Sequence, residues 1–118
     1  MGTASQVLVA LVAAEHLYFL VLEMFLWTRP AGLRAFGQTR EQAEASRVLA
    51  ANQGLYNGFL AAGLVWSLIA PPELARPLRL FFLGCVIAAG LYGGATASRK
   101  ILLVQALPAL VALVLVLV

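Results

Sequence analysis

Four apolar runs, each about as long as a bilayer-crossing helix requires, take up most of this chain. A spanning helix needs about 20 predominantly apolar residues. The runs cover 5–27, 48–69, 77–97 and 99–118, and they leave only short polar connections between them. The expected fold is therefore all-α: a four-helix transmembrane bundle in one domain, 1–118, with a short charged helical extension before span two. Hydrophobic residues make up 63% of the chain and charged residues 11%. Ordinary soluble domains hold about 45–50% and about 25%. A chain of 118 residues has too little interior to hide that much apolar surface from water.

The run boundaries carry recognisable stop and start signals. Span one ends at Thr28-Arg29-Pro30, and a Pro- and Gly-containing connection leads to Gln38. Thr39-Arg-Glu-Gln42 has the capping-box pattern, in which the cap hydroxyl and the third helical side chain satisfy each other's backbone N–H. Arg40, Glu41, Glu44 and Arg47 follow at spacings of three and four, so a solvated first stretch is expected to run on into span two. Pro71-Pro72 stop that span. Ser98 or Thr96 is placed to cap span four. The N-terminal run is not preceded by Lys or Arg and contains Glu15, His16 and Glu23, so it reads as a retained span and not a signal peptide.

Charge sets the orientation. Lys and Arg concentrate in cytoplasmic connections. The first and third connections hold Arg29, Arg34, Arg40, Arg47, Arg99 and Lys100; the second holds Arg76 and Arg79. Six against two places those two connections in the cytoplasm and both termini outside, which predicts a multi-pass protein of the bacterial inner membrane. The net charge of +3 is spread between apolar runs and does not form the basic stripe that nucleic-acid binding requires, so the expected partner is membrane lipid. One cysteine, Cys85, makes an internal disulfide impossible.

Polar side chains inside apolar spans are the candidate functional residues. A central charge costs about 2.5–3.5 kcal/mol on insertion scales, so such groups persist where they face protein, water or a ligand. Span one carries Glu15, His16, Tyr18 and Glu23; span two carries Asn52, Gln53, Tyr56 and Asn57; Tyr92 lies in span three, and Gln105 with Lys100 in span four. At about 100° per residue, His16 and Glu23 point the same way. Gln53 shares a face with Asn57, and Asn52 shares a different face with Tyr56. One face of span two can look into the bundle while the other meets a neighbour, which suggests a homo-oligomer. Glu15, His16 and Glu23 are the candidates for proton transfer. Tyr18, Asn52, Gln53, Tyr56, Asn57, Tyr92, Lys100 and Gln105 are the candidates for ligand binding. A structural reading stands beside each: amides glue helices in lipid, and Gln105, three residues before Pro108, is placed to bond a carbonyl that the proline leaves free. A single histidine cannot assemble a metal site, and no cofactor is implied. The small residues Gly54 and Gly58, Gly84 and Ala88, and Gly90 and Gly94, each pair four apart, suit close helix packing within a bundle or across a dimer.

Glu15-His-Leu-Tyr18 followed by Glu23-Met-Phe, then Asn52-Gln-Gly-Leu-Tyr-Asn57, then Gln105 before Pro108, resembles a family of small bacterial membrane proteins known as domain of unknown function thirteen-hundred-and-four. The resemblance covers nearly the whole chain. It implies four membrane helices and no agreed activity.

Three functions compete. The first is an intramembrane pocket for a small, partly apolar molecule, in which Glu23 or Glu15 moves a proton with help from His16; isomerisation or hydration needs neither metal nor redox cofactor. No nucleophile elbow, phosphate loop or zinc signature is present. The second is proton-coupled transport by an oligomer, on analogy with the small multidrug-resistance transporters, which are four-span chains with a membrane glutamate in span one. The third is a structural or accessory membrane subunit.

Overall fold

A computed structural model describes residues 2–118. Among them every regular element is helical: α1 (Thr3–Met24), α2 (Pro30–Phe36), α3 (Arg40–Ala45), α4 (Arg47–Ile69), α5 (Pro72–Thr96), a π-helical segment (Leu102–Ala106) and α6 (Leu107–Leu117). The all-α class is as the sequence predicts. Two helices, Thr3–Met24 and Pro72–Thr96, are long and apolar enough to cross a membrane. With 23 residues α4 has the length, but Asn52, Gln53, Tyr56 and Asn57 interrupt its apolar run. Leu102–Leu117 is apolar but shorter.

Local chemistry explains the boundaries. After Met24 the chain turns through Arg29 N–H donating to Leu26 O at 3.0 Å. Pro30 then opens α2, where its fixed φ suits a first helical position and its missing N–H costs nothing. This helix occupies what the sequence reads as an irregular connection. It closes at Gly37, whose φ of 61° is the left-handed conformation that glycine adopts without steric cost, and the Gly37 N–H returns to Leu33 O. The capping box of α3 is present in full: Thr39 Oγ1 accepts from Gln42 N at 3.1 Å, and Gln42 Oε1 accepts from Thr39 N at 3.0 Å.

Helix α3 does not run on into α4, contrary to expectation. Ser46 leaves the helical basin (φ −108°, ψ 9°). Its hydroxyl donates back to Gln42 O at 3.0 Å and accepts the Trp27 indole N–H at 3.1 Å. Serine bonding to a carbonyl four residues back loosens a helix, and the Trp27 contact holds the break. Helix α5 starts at Pro72, earlier than the expected 77, because Pro71 serves as N-cap, Pro72 sits at the favoured first position, and Pro77 is absorbed near the helix start. Before Pro108 the chain widens into the π-helical segment, where Leu107 N–H reaches back five residues to Leu102 O.

The chain divides into two compact units, one of residues up to Ala13 with Leu60–Val118, the other Ala14–Phe59. In the first unit four helices share a core: Val9, Val12 and Ala13 of α1, Leu64 of α4, Leu83 and Val86 of α5, and Ala109, Ala112 and Val116 of α6. Gly90 allows α5 to touch the π-helical segment; a Cβ there would lie 2.8 Å from Ala106 Cβ and 2.9 Å from its backbone N. We expect Gly90→Ala to lower stability by about 1–3 kcal/mol, since backbone cannot yield. Gly84, with nothing within 4 Å of the corresponding position, is the control: Gly84→Ala should leave the melting temperature in detergent unchanged or raise it. In the second unit, the later part of α1 packs on the earlier part of α4 through Gly54 and Gly58, which meet Leu20, Glu23 and Met24. The Gly54/Gly58 and Gly90/Gly94 pairs thus serve packing within the chain.

Candidate functional site

The second unit brings together three of the residues singled out by sequence. Glu23 sits one residue before the end of α1 and is 3% exposed. Its Oε1 accepts a hydrogen bond from Asn57 Nδ2 at 2.5 Å. The Gln53 side-chain amide is a further partner. Gln53 and Asn57 lie one turn apart on α4, so both point at the carboxylate from the same face, as their spacing predicts. Gly54 lies between them, and a Cβ there would come within 3.1 Å of Glu23 Cβ and 2.7 Å of Met24 Cγ. The glycine lets the α4 backbone approach Glu23 closely enough for short amide side chains to reach it. Hydrogen bonds to a charged acceptor contribute about 1.5–3 kcal/mol, roughly twice a neutral pair.

His16 is fully buried, with its ring edge-on to Phe19 at a centroid distance of 5.2 Å. It is on the same side of α1 as Glu23, as expected, but seven residues correspond to about 10 Å of helix rise, so the two side chains act at different levels. Glu15 is half-buried at the margin of that face, and its Oε1 is enclosed with no hydrogen-bond partner among the described residues. The three acid–base candidates therefore do not form one constellation. The four amide and tyrosine positions of α4 split as the sequence indicates. Asn57 and Gln53 turn to Glu23, while Asn52 and Tyr56 are exposed, Tyr56 resting against Phe59 at 5.8 Å. Tyr18 is also exposed, at 57%.

The remaining candidates belong to the first unit. Tyr92 is 74% exposed. Lys100 is exposed, and its backbone N–H donates to Ser98 Oγ at 3.2 Å, so Ser98 caps the helical turn that starts at Lys100. Gln105 does not bond a carbonyl left free by Pro108. Its Nε2 donates to Val86 O on α5 at 3.4 Å, so it ties two helices together. Among the described residues no three His, Cys, Asp or Glu side chains gather as a metal ion would need.

Sequence reasoning passed over Arg79. The sequence reads it only as a topology charge, yet it is 2% exposed, donates from Nη2 to Ser67 O at 3.2 Å, and lines a cavity of about 310 Å³ with Arg76 and Gln6. Its place among Leu78, Leu80 and Phe81 was the available signal, because an arginine surrounded by apolar neighbours must find partners in the fold.

A buried carboxylate at the end of α1, met by two amides of α4, marks a polar site in a small all-α protein. Residues 10–117 match the family described as Protein of unknown function (DUF1304), and the chain belongs to that family. It is also similar to the uncharacterized protein YpaA of Lactococcus lactis subsp. lactis (strain IL1403), with 34% identity over 110 residues that cover 92% of each chain. No solved structure matches it.

Proposed function

We propose that this is a four-span protein of the bacterial inner membrane that binds a small, partly apolar molecule at the Glu23–Asn57–Gln53 site. Both termini lie outside, so Glu23 is near the cytoplasmic end of its span and the site opens to that side. The observation that carries the reading is the Glu23 carboxylate, 3% exposed and held by the Asn57 amide at 2.5 Å. A carboxylate fixed by amides, in a segment otherwise apolar, can accept or donate a proton or a hydrogen bond to a ligand that reaches it through the helices. Acid–base isomerisation or hydration is the chemistry it suits. Asn52 and Tyr56, exposed on the other face of α4, favour a homo-oligomer.

The membrane part of the reading draws on where the apolar side chains point. Only 33% of the apolar stretch in Thr3–Met24 and 28% in Pro72–Thr96 is buried, whereas the core helix of a water-soluble protein is mostly buried. Large apolar residues also face outward on α4 and α6, including Val65 and Ile69 of α4 and Leu107, Leu110 and Val114 of α6. Lipid would cover them. Reporter fusions after Gln38, Pro71, Ser98 and Val118 test the topology. The expected pattern is inside, outside, inside, outside; cytoplasmic signal from all four would refute it.

The second reading, proton-coupled transport, is favoured by Glu15, whose Oε1 is enclosed without a hydrogen-bond partner among the described residues. The two separate cleanly. If transport holds, Glu15→Gln in vesicles removes uptake driven by a proton gradient and Glu23→Gln leaves coupling intact. If the Glu23 site is the functional one, Glu23→Gln removes ligand binding and Glu15→Gln does not.

A further inference from the structure

We propose a second site, separate from Glu23, that binds an oxyanion in the cavity beside the α4–α5 turn. The cavity holds about 310 Å³, within the roughly 300–1,000 Å³ of small-molecule sites. Arg76 and Arg79 line it from one face of α5, three residues apart, and Gln6 of α1 adds an amide. Leu68 and Ala75 supply apolar wall. No carboxylate is among the lining residues, and Glu73, the one acidic residue of α5, is not in the wall. The charged groups among the described lining residues are thus two guanidiniums, which gives the wall a positive sign.

The arginines have different roles. Arg79 is 2% exposed and anchored through Ser67 O, so its guanidinium is held in place. Arg76 is exposed and free to close on a bound group. A guanidinium carries five N–H donors in a planar fork that matches phosphate and carboxylate oxygens bidentately. A half-apolar wall beside the pair suits an anion carried on an apolar or glyceryl stem. The ligand class is thus a phosphate or carboxylate oxyanion, with a phospholipid headgroup and a free anion as the two sources of the same chemistry. The proposal stands whether or not Glu23 binds anything.

The test is the melting temperature of the detergent-purified protein with three probes: inorganic phosphate, dihexanoyl-phosphatidylglycerol, and dihexanoyl-phosphatidylcholine as the charge-neutral control. A rise with phosphatidylglycerol, and not with phosphatidylcholine or phosphate, supports the site and assigns it to an anionic lipid headgroup. A rise with inorganic phosphate supports it with a free anion as the ligand. In either case Arg76→Gln, an exposed position, should weaken the apparent affinity at least tenfold while leaving the unliganded melting temperature unchanged. Arg79→Lys, which keeps the charge and loses the fork, should weaken it too. No rise with phosphate or phosphatidylglycerol, or a rise that Arg76→Gln leaves at wild-type strength, would overturn the proposal.

Discussion

Replacing Gly32 with alanine is expected to destabilise the second unit more than any other glycine-to-alanine change in the chain. A Cβ at that position would run into Leu26 O and sit 2.8 Å from its carbonyl carbon and 3.0 Å from Trp27 Cα. All three atoms are backbone, so no side-chain rotation relieves the clash, and α2 must lift away from the turn that follows α1. The contacts that depend on that seating go with it: the Trp27–Phe36 ring pair at 4.8 Å and the Trp27 indole bond to Ser46 that fixes the break between α3 and α4. Overpacking costs about 1–3 kcal/mol, occasionally more, and this case belongs at or above the upper end. The measurement is thermal unfolding in detergent beside Gly84→Ala. A loss no greater than the control's would mean that α2 is not seated on the turn.

The second large effect is a non-additive one. Asn57→Leu removes the amide that donates to Glu23 and leaves a buried carboxylate with less of its hydrogen bonding. Removing one partner of a buried charged hydrogen bond costs about 1.5–3 kcal/mol or more, because the remaining group keeps its desolvation penalty. Glu23→Leu removes that penalty along with the carboxylate. The double variant should therefore be more stable than Asn57→Leu alone, with a coupling of about 1–3 kcal/mol in the cycle. Additive losses would mean that the two side chains do not share a bond. The same cycle with Gln53 should give a smaller coupling, since Gln53 is exposed and exchanges its bond with solvent or lipid headgroups more readily.

Features decided by short-range chemistry were legible in the residues. Thr39 and Gln42 cap each other because both partners lie within one turn. Gln53 and Asn57 share a face because helical geometry alone fixes it, and His16 lines up with Glu23 for the same reason. What escaped reading depends on contacts distant in sequence. The Ser46 break needs Trp27, nineteen residues away, and nothing local to Glu44-Ala-Ser46-Arg47 announces it. Helix α2 contains Gly32, a weak helix former, and takes its shape from being laid against Leu26 and Trp27. Spacing alone offers Gln105 a carbonyl of its own helix beside a ligand role, whereas its hydrogen-bond partner is Val86 O on α5. Proximity in sequence also suggested a Glu15–His16–Glu23 constellation. Neighbouring residues on a helix diverge by about 100° and residues seven apart differ by two turns, so a shared helix did not make a shared site. Arg79 shows the opposite error. A charge counted for orientation proved to be buried and to wall a cavity that the pattern of apolar residues does not reveal.

The central claim is that the buried Glu23 carboxylate is a ligand site, and native mass spectrometry of the protein purified in mild detergent tests it most directly, with wild type beside Glu23→Gln and Glu15→Gln. The expected spectra show a small molecule bound to wild type and to Glu15→Gln, absent from Glu23→Gln, with oligomeric state the same in all three. A bound molecule retained at wild-type occupancy by Glu23→Gln, or lost only from Glu15→Gln, would contradict it.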